Sequence, residues 1–201
     1  MNLFNFYNEH FSNLCCYEDY LMRIDLMGRK HNDKEILDSL RKCDGHRYIV
    51  AGGEVIWIDH NGEKDDNPDI YMISESAFEH CGEIKSMVIP NGVQMIDQYA
   101  FYNCKCMESV TIPCTVKFIG MNAFATCDGI KTLVIPFGVN VIGYSAFSYC
   151  SGLKSIEIPK SVDAVRSCAF DGCWRLESVK VPKNCDIGWS AFPKHCEVIR
   201  Y

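Results

Sequence analysis

Thirteen cysteines and six histidines are the residues through which this chain could do metal or nucleophilic chemistry. A structural zinc site needs paired C-x2–4-C or Cys/His clusters. Cys104-Lys105-Cys106 and Cys15-Cys16 come nearest, and His10, His31, His46, His60, His80 and His195 supply no second pair at ligand spacing. Asp59, Asn61, Glu63, Asp65 and Asp66 gather oxygen donors suited to calcium. An EF-hand loop needs glycine at its sixth place and a carboxylate at its twelfth. Counted from Asp59, those places hold Lys64 and Ile70. A cysteine nucleophile needs a partly exposed, electropositive niche, and no glycine-rich phosphate loop is present. The sequence therefore assigns no catalytic residue, no metal ligand and no cofactor.

Six of the cysteines have a different regularity. Cys81, Cys104, Cys127, Cys150, Cys173 and Cys196 fall 23 residues apart, as do Pro90, Pro113, Pro136, Pro159 and Pro182. Phe78, Phe101, Phe124, Phe147 and Phe170 keep the same interval, with Phe192 one residue early. Ile84, Met107, Ile130, Leu153, Leu176 and Ile199 form a fourth column of large apolar residues. A fixed period of this length marks a solenoid, in which each unit buries its apolar face against its neighbours. The column cysteines then read as reduced core thiols about one strand spacing apart, roughly 4.8 Å.

Within a unit, Leu153, Ile156 and Ile158 alternate with Ser155 and Glu157, the two-residue period of a strand. The following proline ends the pairing. Val139 and Ile142 face inward on the returning segment, and Ala146-Phe147 turns tightly to plug the interior. The expected architecture is an α/β repeat solenoid with one parallel β-sheet and one short strand per 23-residue repeat. Residues 73–201 hold about five to six repeats, and residues 1–72 form an N-terminal cap. The cap reads as two short helices within residues 1 to 45, the second through ILDSLRKC, then a hairpin around Ala51-Gly52-Gly53 and a polar loop over 60–69. At the far end, CEVIRY stops before the last strand is complete.

The pattern I-P-x-x-V-x-x-I-x-x-x-A-F-x-x-C-x-x-L, as in IPFGVNVIGYSAFSYCSGL from Ile135 to Leu153, resembles the BspA-type leucine-rich repeat family. The resemblance covers about residues 73 to 201. It implies a curved, right-handed leucine-rich-repeat coil, a non-enzymatic protein-binding role of the kind found in surface proteins that attach to host matrix or to other cells, and no catalytic residues.

Charge and hydropathy bound the partners. The chain has a net charge of −6, divided as −9 over residues 1–100 and +3 over residues 101–201. Neither half is basic enough for nucleic acid, and no apolar run of about 18 residues spans a bilayer. The start, MNLFNFYNEHFSNLCC, has no secretory pattern, which points to the cytoplasm, whereas the family resemblance points to the cell surface. Repetition aligns outward side chains into columns on an extended face. One column is Ser86, Ser109, Thr132, Ser155 and Ser178, and the next is Val88, Thr111, Val134, Glu157 and Lys180, flanked by Phe137 and Lys160. This strip is the expected docking face for a protein partner. The alternative is a structural protein that self-associates as a homo-oligomer through its C-terminal edge.

Overall fold

The computed structural model describes residues 41–43, 45–51, 54–59, 64–66 and 68–201. Residues up to Pro68 form one compact unit and Asp69–Tyr201 another.

In the first unit, β1 (Arg41–Cys43), β2 (His46–Ala51) and β3 (Glu54–Ile58) are joined antiparallel. Ala51 opposite Glu54 closes the hairpin expected around Ala51-Gly52-Gly53. Tyr48, Val50, Trp57 and Ile58 are buried. The first expected helix, around Tyr17 to Ile24, lies outside the described residues, as do the turn Gly52-Gly53 and most of the polar loop. The second expected helix is corrected where it is described. Arg41–Cys43 is a strand, with Cys43 opposite His46. Gly45 has φ of 78°, and a glycine in the left-handed region at a tight reversal between strands outweighs helical spacing.

The second unit is a run of coils. In chain order its strands are β4 (Met72–Ile73), β5 (Ser86–Val88), β6 (Met95–Ile96), β7 (Ser109–Thr111), β8 (Phe118–Ile119), β9 (Val141–Ile142), β10 (Ser155–Glu157), β11 (Ala164–Val165), β12 (Ser178–Val181), β13 (Asp186–Ile187) and β14 (Glu197–Arg200). Every pairing among them is parallel. The single sheet expected from sequence is corrected to two columns of strands. One holds β5 with β7 and, separately, β10, β12 and β14. The other is a six-stranded sheet ordered β4, β6, β8, β9, β11, β13. Its strands have two residues each, too short for an alternation to be visible in the sequence. Among the described residues Thr132–Val134 carries no strand, so the first column is interrupted where a third strand was expected.

Between the columns lies the stacked interior. Phe78, Phe101, Phe124, Phe147 and Phe170 are fully buried, with successive ring centroids 4.9, 4.9, 5.2 and 5.2 Å apart and planes within 11° of parallel. Phe192 continues the stack at 5.4 Å. Ile84, Met107, Ile130, Leu153 and Leu176 are also fully buried. Ile199 is not part of that column. The last strand pairs Ser178 with Glu197 and Lys180 with Ile199, leaving Ile199 39% exposed on the outward side. The unfinished final strand expected from sequence is likewise corrected. Glu197–Arg200 pairs along the whole of β12, Arg200 Nη1 donates to the carbonyls of Pro182 and Cys185 at 2.8 and 2.9 Å, and the Tyr201 hydroxyl donates to Ile158 O at 2.9 Å. A four-residue shortening of the repeat, which column-matching on Cys196 conceals, produces this register.

Truncating a ring in the middle of the stack removes contacts on both faces. Phe124→Ala is expected to cost about 3–5 kcal/mol. Urea denaturation followed by circular dichroism measures it, and an unchanged midpoint would refute the core placement.

Candidate functional site

The tight turn at each phenylalanine positions everything outside it. In the coil around Phe101, Tyr99 and Asn103 have φ of 58° and 61°; Asn122 and Thr126 flank Phe124 in the same way, and Ser145 and Tyr149 flank Phe147. Left-handed φ is costly for residues other than glycine and is an outlier for a β-branched residue such as Thr126. The conformation aims alternate N–H groups at the next coil. Tyr99, Phe101 and Asn103 donate to the carbonyls of Met121, Ala123 and Ala125 at 2.9, 2.7 and 2.8 Å. The carbonyl left inside is that of the phenylalanine. Phe101 O accepts from Cys104 N at 3.3 Å and from the Cys127 thiol of the next coil at 3.1 Å. Cys104, Cys150 and Cys173 donate in the same way to Phe78, Phe124 and Phe147 at 3.0, 3.2 and 3.2 Å.

Three of these thiols, Cys104, Cys150 and Cys173, are held protonated. A side-chain hydrogen bond with Cys127, followed by burial, pushes Cys104 far above the ordinary thiol value. Burial raises Cys150 well above it and Cys173 to about 12. This is the reverse of thiolate activation. Cys106 and Cys114 are exposed. Among the described residues, no group of three or more His, Cys, Asp or Glu is arranged to hold a metal ion. Cys15-Cys16 and part of the acidic loop, including Asn61 and Glu63, lie outside them. No helix of the described residues is long and apolar enough to cross a membrane.

The turns after the prolines are fixed by an arrangement that sequence reading missed. The column Gly92, Thr115, Gly138, Ser161 alternates glycine with hydroxyl. Thr115 Oγ1 accepts from Gly92 N at 3.3 Å and donates to Val93 O at 2.8 Å. Ser161 repeats this with Gly138 N and Val139 O at 3.2 and 2.9 Å. A Cβ on Gly138 would lie 2.1 Å from Cys114 O, so glycine is required there. The alternation was the available signal, but its meaning depends on which coils are adjacent.

On this frame the expected strip can be placed residue by residue. Val88, Val134 and Phe137 are 70, 77 and 74% exposed. Thr111, Thr132, Ser155, Glu157, Lys160 and Lys180 are exposed, and Ser86 and Ser178 are half-buried. Ser86 stands opposite Ser109, itself exposed, and Val88 opposite Thr111; Ser155 stands opposite Ser178, and Glu157 opposite Lys180. Lys180 Nζ lies 3.7 Å from Glu157 Oε2, and Lys160 Nζ lies 5.9 Å from the centre of the Tyr201 ring. Thr132, Val134 and Phe137 belong to the segment without a strand, which keeps the outward alternation around buried Leu133 and Ile135. A second outward column was not foreseen. Met72, Met95, Phe118 and Val141 stand in register on the six-stranded sheet and are half-buried or exposed, Ala164 continues the register but is buried, and Met121 and Tyr144 lie beside the column, 38 and 54% exposed.

Comparison with known proteins draws these features together. The model of the BspA type leucine-rich repeat region matches residues 71–199 in 6 copies. The chain belongs to the BspA-type leucine-rich repeat family. Solved structures of similar repeat proteins include the Treponema pallidum (T. pallidum) leucine-rich repeat protein, with a TM-score of 0.57 and 23% identity over 77% of this chain and 83% of that one. A leucine-rich repeat protein from Bacteroides ovatus gives 0.55 and 25% identity, over 78% of this chain and 51% of that one. A leucine-rich cell surface protein from Faecalibacterium prausnitzii gives 0.55 and 27%, over 68% of this chain and 38% of that one. The chain thus spans most of the Treponema protein and about half or less of the other two. A search of the curated proteins finds no significant match. In this repeat family member, the Phe and Cys columns are buried framework and the columns of the strip face outward.

The thiol arrangement carries a pH signature. A group whose folded pKa is raised contributes stability in full below its unfolded value and loses it as pH climbs toward the folded value. For Cys173 that window runs from the ordinary thiol value of 9.0 to about 12. The urea midpoint should fall as pH rises through this window, and less steeply in Cys173→Ala. Equal slopes in the two proteins would show that the thiol is not protected.

Proposed function

We propose that this chain is a non-enzymatic protein-recognition module, with the strip around Val88, Thr111, Val134, Phe137, Glu157, Lys160 and Lys180 as its docking face. The observation that carries the reading is the exposure of Val88, Val134 and Phe137, each 70% or more, along one line of coils. Scattered exposed apolar residues need no explanation, whereas an aligned set rimmed by polar residues suits an interaction surface. Membership of a repeat family supports it, because repeats present extended surfaces held in fixed register. A rigid face spares the binding reaction the cost of ordering a loop. The protonated, buried thiols favour a framework over a reaction centre.

Display at the cell surface is the location this reading favours. One similar structure is that of a leucine-rich cell surface protein, and another is the pneumococcal vaccine antigen PcpA. Protease shaving of intact source cells tests it. Cleavage of this protein while a cytosolic control survives is expected, and survival of both until lysis would reject it.

For the face itself, the triple variant Val88→Glu, Thr111→Glu, Val134→Glu should weaken partner binding at least tenfold, about 1.4 kcal/mol, and leave cooperative unfolding intact. Loss of cooperativity would mean that these side chains support the fold. Unchanged binding would move the docking face elsewhere.

A further inference from the structure

The charge of the strip differs in sign from that of the protein. The five segments 85–91, 108–114, 131–137, 154–160 and 177–183 carry six lysines and three glutamates, net +3, in a chain of net −6. Lys85, Lys131, Lys154, Lys160, Lys180 and Lys183 are all exposed. The corresponding segments of the six-stranded sheet, 71–76, 94–99, 117–122, 140–145, 163–168 and 185–190, sum to −2. The coils are thus polarised across their width, positive on the strip and negative on the opposite column. Along the strip the chemistry also changes. Val88, Val134 and Phe137 lie in the first three coils, and four of the six lysines in the last two. Of those four, Lys180 is engaged by Glu157 and Lys160 lies over the Tyr201 ring, whereas Lys154 and Lys183 pair with no carboxylate among the described residues.

We infer that the strip binds an extended polypeptide segment that runs across the coils, with apolar residues over Val88, Val134 and Phe137 and carboxylates over Lys154, Lys160 and Lys183. This deepens the docking-face reading and rests on it. Like charges across an interface are excluded and unlike charges steer encounter, so an acidic partner is selected by the strip, and a basic one is repelled by its six lysines more than the three glutamates attract it. A dense polyanion fits less well. Glu108, Glu157 and Glu177 interrupt the lysines, and a sulfated glycan or nucleic acid would leave the apolar residues uncovered. The reach is set by the ring stack. Four steps from Phe78 to Phe170, each of 4.9 to 5.2 Å, span about 20 Å, which an extended segment at about 3.3 Å per residue crosses in six or seven residues.

The test is selection of a random heptapeptide library, displayed on phage, against the whole immobilised chain. Counter-selection uses Lys154→Glu/Lys160→Glu/Lys183→Glu and, separately, Val88→Ser/Val134→Ser/Phe137→Ser, both checked for native circular dichroism. The expected result is enrichment of peptides with apolar residues followed by Asp or Glu. Their binding should fall about tenfold or more in the lysine variant, where three attractive charges become repulsive, and also in the apolar variant. Enriched peptides without acidic residues that still lose binding in the apolar variant would overturn the acidic partner and keep the docking face. No enrichment, or enrichment indifferent to both variants, would overturn both. Lysine-dependent binding of heparin without any peptide enrichment would replace the polypeptide by a polyanion.

Discussion

The carbonyl oxygen of the buried phenylalanine is the group on which the stack depends. It sits at the centre of a tight turn, where an unsatisfied backbone acceptor costs as much as the hydrogen bond it lacks. The coils of Phe78, Phe101, Phe124 and Phe147 meet the need twice, with their own cysteine N–H and with the thiol of the coil that follows. The second donor comes from another repeat, so no coil completes its interior alone. Apolar burial alone would not dictate cysteine at this place. A small residue with a weak donor is needed, and serine would bring a more polar hydroxyl into a buried apolar stack.

From that requirement the outward geometry follows. The two left-handed residues beside each phenylalanine turn the backbone so that its N–H groups reach the next coil, and the strands on either side are held in register by the same ladder. Register fixes which side chains share a column, and the outward columns then differ in kind. The strip is positive with an apolar end, and the opposite column is apolar with acidic ends. A helical bundle can shift a side chain by rotating a helix. Here a side chain can move off its column only if the coil loses its inter-coil hydrogen bonds.

Irregularities in the repeat mark where the framework changes. Register along the six-stranded sheet advances by 23 residues until Ala164 pairs with Asp186, one residue short, in keeping with the early Phe192. The last strand advances by only 19, from Ser178 to Glu197, and it brings Ile199 to the outward side and Arg200 onto the carbonyls of the preceding turn. The Cys196 thiol accordingly leaves the pattern, and its nearest acceptor is Glu197 O at 3.8 Å in place of the phenylalanine carbonyl.

The sequence by itself determined the solenoid, its 23-residue period, the inward columns of Phe78 to Phe170 and the outward facing of Val88, Thr111 and Val134. These follow from side-chain type repeated at fixed spacing, and a packing column tolerates little variation. Tertiary structure decided what depends on contacts between coils. The strands of the second sheet are two residues long and carry no readable alternation, so only their pairing reveals them. The Thr115 and Ser161 clamps act on glycines in the preceding coil, and Cys196 keeps its place in sequence while leaving the thiol column in space. The local pattern around Arg41–Cys43 was read as helical, and the hairpin partner across Gly45 made it a strand. In each case the deciding partner is brought near by folding, and a neighbour in space leaves no mark on the residues adjacent in sequence.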